Sequence, residues 1–341
     1  MEKHVFVRDL QPGTQVSAPF MVAEARRGQA RNGPYVKLVL QDRTGRVDGV
    51  IWSPLADTCP ELGPGALAVF TGAVTSFKDQ AQIRVDNVEL LDRDAAGAGD
   101  YLPASERPAG LMLEELGDLV LEHIEYKPLR QLVRKVLDDE PVRARLLAAP
   151  GAKTVHHAYV GGLLEHTLAV ARLCMSVCDL YPALDRQVLL AGAVLHDLGK
   201  AWELASEPAC DYTDPGRLMG HVNLGLEVLA PYFAKARGLD EGVALHLKHL
   251  IVSHHGEFEF GAAVRPMTPE AFVLHFCDNM DSKLNQTMRV LDELEPDQGP
   301  WTPFQRFLDR PLFKAAPTPG KNGENGKNHP PENQCLLPLK G

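Results

Sequence analysis

His196-Asp197-Leu198-Gly199-Lys200 puts an imidazole, a carboxylate and an ammonium within one short stretch, at the end of the apolar run Val188 to Leu195. The run reads as a buried helix. A buried charge is costly unless it is paired or bound to a metal. An adjacent His-Asp pair offers a cation one nitrogen and two oxygens, and its carboxylate can bridge two cations. Alone, the motif also fits a solvated helix end, with Gly199 as the cap and Lys200 on the helix dipole. The rest of the chain adds side chains of the same kind: His166, His221 after Gly220, the pair His254-His255, and Asp278 in Cys277-Asp278-Asn279-Met280-Asp281-Ser282-Lys283. Each lies in or beside an apolar helical segment. Mixed imidazole and carboxylate donors suit manganese first, with iron, cobalt, nickel and zinc as alternatives. All-oxygen sites suit magnesium or calcium better.

Such side chains need helices to hold them, and the chain supplies these only in its second part. Residues 1–94 read instead as five strands. Val16 to Ala25 is followed by a basic loop over 26–33, and Tyr35 to Leu40 alternates as a half-buried strand does. Asp42-Arg43-Thr44-Gly45 is a hairpin turn leading into Arg46 to Trp52. Strands over 66–75 and 82–90 complete the set. Five short strands with this turn predict an OB-fold β-barrel. Arg26, Arg27, Arg31, Tyr35, Lys37 and Phe77 combine basic and aromatic character on that unit, the combination that binds single-stranded nucleic acid.

Residues 95–110 have the composition of a linker. From 111 to 150 three helices are predicted, the second carrying Leu129, Leu132, Val133, Val136 and Leu137 on one face. An all-α unit extends to 314, and residues 315–341 read as a disordered tail. The fold expected is therefore a multidomain α and β chain, a barrel followed by a helical bundle.

The 341 residues suffice for about two domains. The chain is 45% apolar and 23% charged, as in ordinary globular proteins, and holds no apolar run long enough to span a membrane. The start lacks the apolar stretch of a signal peptide, and the scattered cysteines form no CxxC pair, so a reduced cytoplasmic setting is expected. A net charge of −10 argues against non-specific attraction to nucleic acid and leaves a local basic surface as the means of binding it.

The order H…HD…H…HH…D resembles that of the HD-domain metal-dependent phosphohydrolases, in the variant with ligands for two metals. The block His156-His157-Ala158-Tyr159-Val160-Gly161-Gly162-Leu163-Leu164-Glu165-His166-Thr167 closely resembles the signature of the YhaM-type 3′→5′ exoribonucleases, which join an OB domain to an HD domain. That resemblance implies a first metal held by His166, His196, Asp197 and Asp278. Asp197 would bridge to a second metal held by His221 and by His254 or His255. It further implies Asp197 and Lys200 as catalytic residues, with His156, His157 and Tyr159 lining the substrate channel. The implied activity is 3′→5′ hydrolysis of single-stranded RNA, with single-stranded DNA a second candidate, to nucleoside 5′-monophosphates. Two other readings compete. A cyclic-dinucleotide phosphodiesterase of HD-GYP type shares the ligand order, but no Gly-Tyr-Pro element follows His255 here. The other is a nucleic-acid-binding protein with a purely structural HD domain.

Overall fold

The computed structural model describes residues 5–31, 33–77, 80–91, 101, 105, 107–152, 157, 159–205, 211–292, 294 and 299–318. Five strands, β1 (Gln15–Ala30), β2 (Gly33–Asp42), β3 (Gly45–Trp52), β4 (Leu67–Phe77) and β5 (Gln80–Leu90), close into a barrel. Its order is β1-β2-β3-β5-β4, and only the β3–β5 pairing is parallel. This is the Greek-key order of an OB barrel. A single turn of helix, α1 (Leu55–Thr58), follows β3. Alternate residues point inward, as the strand period requires, and Phe20, Leu38, Leu40, Ile51, Phe70 and Ile83 fill the interior. Asp42 fixes the β2–β3 turn. Its buried carboxylate accepts from the Thr44 N–H at 2.8 Å and from the Val7 N–H at 2.8 Å.

The expected basic loop over 26–33 is largely strand. β1 runs on to Ala30, Arg26 lies opposite Lys37, and Arg27 opposite Val36. Arg31 lies in the turn that follows β1. The reason is physical: this end of the ribbon has polar side chains on both faces, so it lacks the alternation that marks a half-buried strand.

The predicted helices between 111 and 150 appear as α2 (Ala109–His123), α3 (Lys127–Leu137) and α4 (Glu140–Ala148). All five apolar residues named on the second are buried. Then come α5 (Gly162–Leu180), α6 (Arg186–Leu195) and α7 (Lys200–Glu203). A small hairpin of β6 (Leu204–Ala205) and β7 (Asp211–Tyr212) follows, and α8 (Asp214–Lys235), α9 (Glu241–Ser253) and α10 (Pro269–Asp292) complete the helical part. One apolar core runs through it, from Met112 and Leu116 on α2 to Leu274 on α10. The packing of α6 on α9 depends on Gly192. A Cβ there would overlap the Leu250 side chain, so only glycine lets these two helices lie so close.

Past α10 the described residues form no helix. In residues 299–318 two isolated bridges, Trp301 with Phe313 and Gln305 with Arg310, flank a turn over 306–309. Most of the expected linker, and the expected tail from 319 onward, lie outside the described residues. Among the described residues no helix is long and apolar enough to cross a membrane. Cys59, Cys174, Cys178 and Cys277 are buried free thiols.

Candidate metal centre

Three helices and the ends of two others bring the centre together. α5 carries His166 on its second turn, facing the core. α6 and α9 each terminate in a histidine, His196 and His254, at their C-caps. Because these helices pack closely and stop at the same level, the two imidazoles lie side by side, with centroids 5.0 Å apart. α8 breaks at Gly220, whose φ of +72° suits glycine, and the segment restarts with His221. α10 contributes Asp278 and, one turn later, Asp281.

Asp197 sits at the middle and is almost wholly buried. Its Oδ2 lies 3.4 Å from Nε2 of His166 and 3.4 Å from Nε2 of His196. Its Oδ1 lies 3.4 Å from Nε2 of His221 and 3.4 Å from Nε2 of His254. One carboxylate thus belongs to two groups of four: His166, His196, Asp197, Asp278 and Asp197, His221, His254, His255. In each group the donor atoms lie within 4.8 Å of one another.

The far side of each ring fixes its tautomer. Nδ1–H of His196 donates to the Ala193 carbonyl at 2.8 Å, and Nδ1–H of His254 donates to that of Ile251 at 2.7 Å. Nδ1–H of His166 donates to Asp281 Oδ2 at 2.7 Å, and Nδ1–H of His221 donates to Glu203 Oε1 at 3.2 Å. Carbonyls and carboxylates only accept, so each Nδ1 carries a proton and all four Nε2 atoms, turned toward Asp197, are the ones a cation would engage. This is the arrangement of metal-ligating histidines, with the second nitrogen anchored by an acceptor.

A divalent cation fits these donors. Asp197 Oδ1 and His254 Nε2 are buried, face each other and form no hydrogen bond. Leaving such atoms unsatisfied costs about 1–3 kcal/mol each, and a cation among them removes that cost. The charges agree. Burial opposes ionisation of Asp197, but Lys200 at 2.7 Å and the surrounding histidines hold its pKa well below the carboxylate range. Burial likewise opposes charge on Asp278, yet His166 and His196 keep it ionised. Burial lowers His254, and burial together with His254 and His221 brings His255 down to about 3, so both rings are neutral donors near neutral pH. His166 moves the other way. Burial disfavours its charge, but Asp197, Asp278 and Asp281 outweigh that and raise it well above the usual value. The centre therefore holds more negative charge around His166 than its own residues neutralise.

The comparisons with known proteins agree with this geometry. The HD domain family matches residues 163–283. The 3′-5′ exoribonuclease YhaM of Bacillus subtilis is 30% identical over 300 residues, covering 87% of this chain and 94% of that protein. This chain belongs to the YhaM family of 3′-5′ exoribonucleases. YhaM of Bacillus licheniformis is 30% identical over 315 residues, covering 92% of this chain and 98% of that one. Among solved structures, the second OB-fold domain of replication protein A from Methanococcus maripaludis is 24% identical. It covers 26% of this chain and 95% of that one, with a TM-score of 0.23. The YhaM-family chain is thus a hydrolase built from an OB barrel and an HD domain.

In this YhaM-family protein every expected ligand falls in one of the two groups, and His254 and His255 both do. Adjacent helical residues would diverge by about 100°, but α9 ends at Ser253 and the pair lies in the turn beyond it. Lys200 borders the cleft beside the centre. Gly199 is no left-handed cap. Its φ is −62°, and it is needed because a Cβ would overlap the His221 carbonyl.

The expected channel residues are placed differently. His157 is fully buried and does not line the cleft. Its Nε2–H donates to Asp281 Oδ2 at 3.0 Å, while Nδ1 accepts from the Tyr159 hydroxyl at 3.0 Å. His157 and Tyr159 therefore brace the carboxylate that holds His166. His156 lies outside the described residues. Asp281 orients His166. The sequence reading missed Glu203, which accepts from both the backbone N–H and Nδ1–H of His221. Its only sequence signal is its place just after the His-Asp motif.

On the barrel, Tyr35 and Lys37 point outward from β2, with Arg26 beside them on β1. Arg26 pairs with Glu24 at 3.0 Å and Lys37 with Asp48 at 3.2 Å, both at the surface. Arg27 instead donates to the Ala56 carbonyl at 3.1 Å, so its head is committed to holding α1. Arg31 is exposed in the turn, and Phe77 is 57% exposed at the end of β4. Trp52, not among the expected contacts, is 45% exposed at the end of β3. Its ring lies 5.4 Å from that of Tyr35.

Proposed function

We propose that this protein is a two-metal 3′→5′ exoribonuclease that shortens single-stranded RNA to nucleoside 5′-monophosphates, with manganese as the preferred cation. The observation that carries this reading is the division of Asp197, whose Oδ2 faces His166 and His196 while Oδ1 faces His221 and His254. His166, His196, Asp197 and Asp278 would hold one cation, and Asp197, His221, His254 and His255 the other. Bound there, divalent cations supply Lewis-acid stabilisation of phosphoryl charge and a lowered pKa for water.

The chain's own groups do the rest. Asp281 and Glu203 keep two of the rings aimed inward. Lys200, whose charge is maintained against burial chiefly by Asp197, borders the cleft and can pair with a non-bridging phosphate oxygen. The outer barrel face, with Arg26, Arg31, Tyr35, Lys37 and Phe77, supplies charge and stacking for the strand. The similarity to the YhaM 3′-5′ exoribonucleases of Bacillus subtilis and Bacillus licheniformis supports RNA and the 3′ end. Single-stranded DNA is the competing substrate to compare.

The test is 5′-labelled single-stranded RNA or DNA incubated with Mn²⁺ and resolved on a sequencing gel. A ladder shortening from the 3′ end is expected, faster for RNA. An RNA ending in 3′-phosphate should be degraded about 100-fold more slowly, because the extra dianion displaces the scissile bond. Internal cuts, or equal rates on both termini, would overturn the reading.

A further inference from the structure

We propose that Phe260 and Tyr212 form a stacking clamp for the base of the 3′-terminal nucleotide. This deepens the exoribonuclease reading and rests on it. Beside the metal centre lies a cleft of about 300 Å³, bordered by Lys200, His221, His255 and Asp278. Two aromatic rings border the same cleft, Phe260 at 65% exposure and Tyr212 at 42%. A phosphodiester needs only the charged part of this lining. The two exposed rings add an aromatic part to that lining, and the flat face of a nucleobase is the part of RNA that suits it.

Both rings sit on segments joined closely to residues of the centre. Phe260 lies in a single 3₁₀ turn, Phe258–Phe260, that starts just after His255. The Glu257 N–H donates to the His255 carbonyl at 3.0 Å, and the Phe260 N–H to that of Glu257 at 3.0 Å. Gly261, at φ +92°, then folds the chain back so closely that a Cβ would lie 3.2 Å from His255 Nδ1. Tyr212 pairs in β7 with Leu204 of β6, and Leu204 directly follows Glu203, the residue that holds His221. Each ring is thus tied through a short rigid connection to the group containing His221 and His255. A base held by these rings has a defined offset from that group, which is what placing the last phosphodiester requires. Stacking uses the face that all four bases share, so the clamp grips an unpaired end without reading its sequence.

A neighbour provides the control. Phe258 belongs to the same turn and is 60% exposed, but it does not border the cleft, and Arg265 lies over its ring at 5.1 Å.

The experiment compares wild type with F260A, F260W, Y212A and F258A on two RNAs, one with a normal 3′-terminal nucleotide and one with an abasic 3′ end. On normal RNA, F260A and Y212A should raise KM on the order of tenfold with kcat little changed. F260W should restore it, and F258A should match wild type. On abasic-ended RNA, wild type and F260A should be equally slow, which also shows that the variant is folded and active. Wild-type behaviour of F260A on normal RNA would overturn the clamp. So would an equal further loss on the abasic end, which would mean a role other than base contact. If wild type fails to shorten normal RNA from the 3′ end at all, the exoribonuclease reading itself fails, and the clamp with it.

Discussion

The outer face of the barrel and the metal centre are both rich in charge, but they treat it in opposite ways. On the barrel, Arg26 and Lys37 pair singly with carboxylates at the surface, where each pair contributes little and the cation can turn to a phosphate instead. In the centre, His166, His196, Asp197 and His254 are essentially excluded from solvent, and each of the three rings is anchored by a hydrogen bond from its Nδ1. Burial magnifies every interaction there, including the cost of a missing one. The difference teaches that binding can be spread over exchangeable contacts, whereas the chemistry is concentrated in atoms that cannot be substituted one at a time.

The sharpest way to break that comparison is Asp197→Asn. It should reduce RNA hydrolysis by roughly a thousandfold or more and lower the bound manganese per chain, while leaving the affinity for RNA nearly unchanged. Metal analysis together with a gel-shift titration checks both halves, and activity within tenfold of wild type would refute a bridging role. Next comes Asp281→Asn, which weakens the acceptor shared by His166 and His157. Manganese affinity should fall about 10- to 100-fold, and activity should return as manganese is raised. Loss that excess metal does not relieve would count against an orienting role.

On the barrel side the effects are smaller. Replacing Tyr35 and Trp52 together with alanine should weaken RNA binding about tenfold, without changing turnover of bis-p-nitrophenyl phosphate, which is too small to need the barrel. Parallel losses in both assays would mean that the two regions are not separable. The smallest effect is expected for Arg26→Ala, about a twofold loss of RNA affinity that vanishes at high salt, with thermal stability unchanged.

The sequence made the ligands legible for a chemical reason. Histidines and aspartates beside apolar helical runs, at His166, His196, Asp197, His221, His254 and Asp278, are costly to place there without a cation. The barrel was legible because its inward residues alternate, from Val36 to Leu40 for example. What supports the ligands was harder to see. His157 and Asp281 are 124 positions apart and meet only in the fold. Their types gave no hint of which ligand they would brace, and the signature block suggested a channel instead. Glu203 looked like an ordinary helix-end acid until Gly220 turned His221 back onto it. Trp52 stood out only as the end of a strand, and it is the register of β3 with β2 that sets it beside Tyr35.

His196 and His254 cap the C-terminal ends of α6 and α9, and that placement has an electrical side. The peptide dipoles of a helix add up to about half a negative charge at its C-terminus. Two such ends, brought level by the close approach at Gly192, point their field at the same spot. The attraction for cations is therefore partly a property of the backbone. Neutralising a single carboxylate leaves that part in place, so a centre stripped of one acid still draws in positive ions and gives up affinity by degrees.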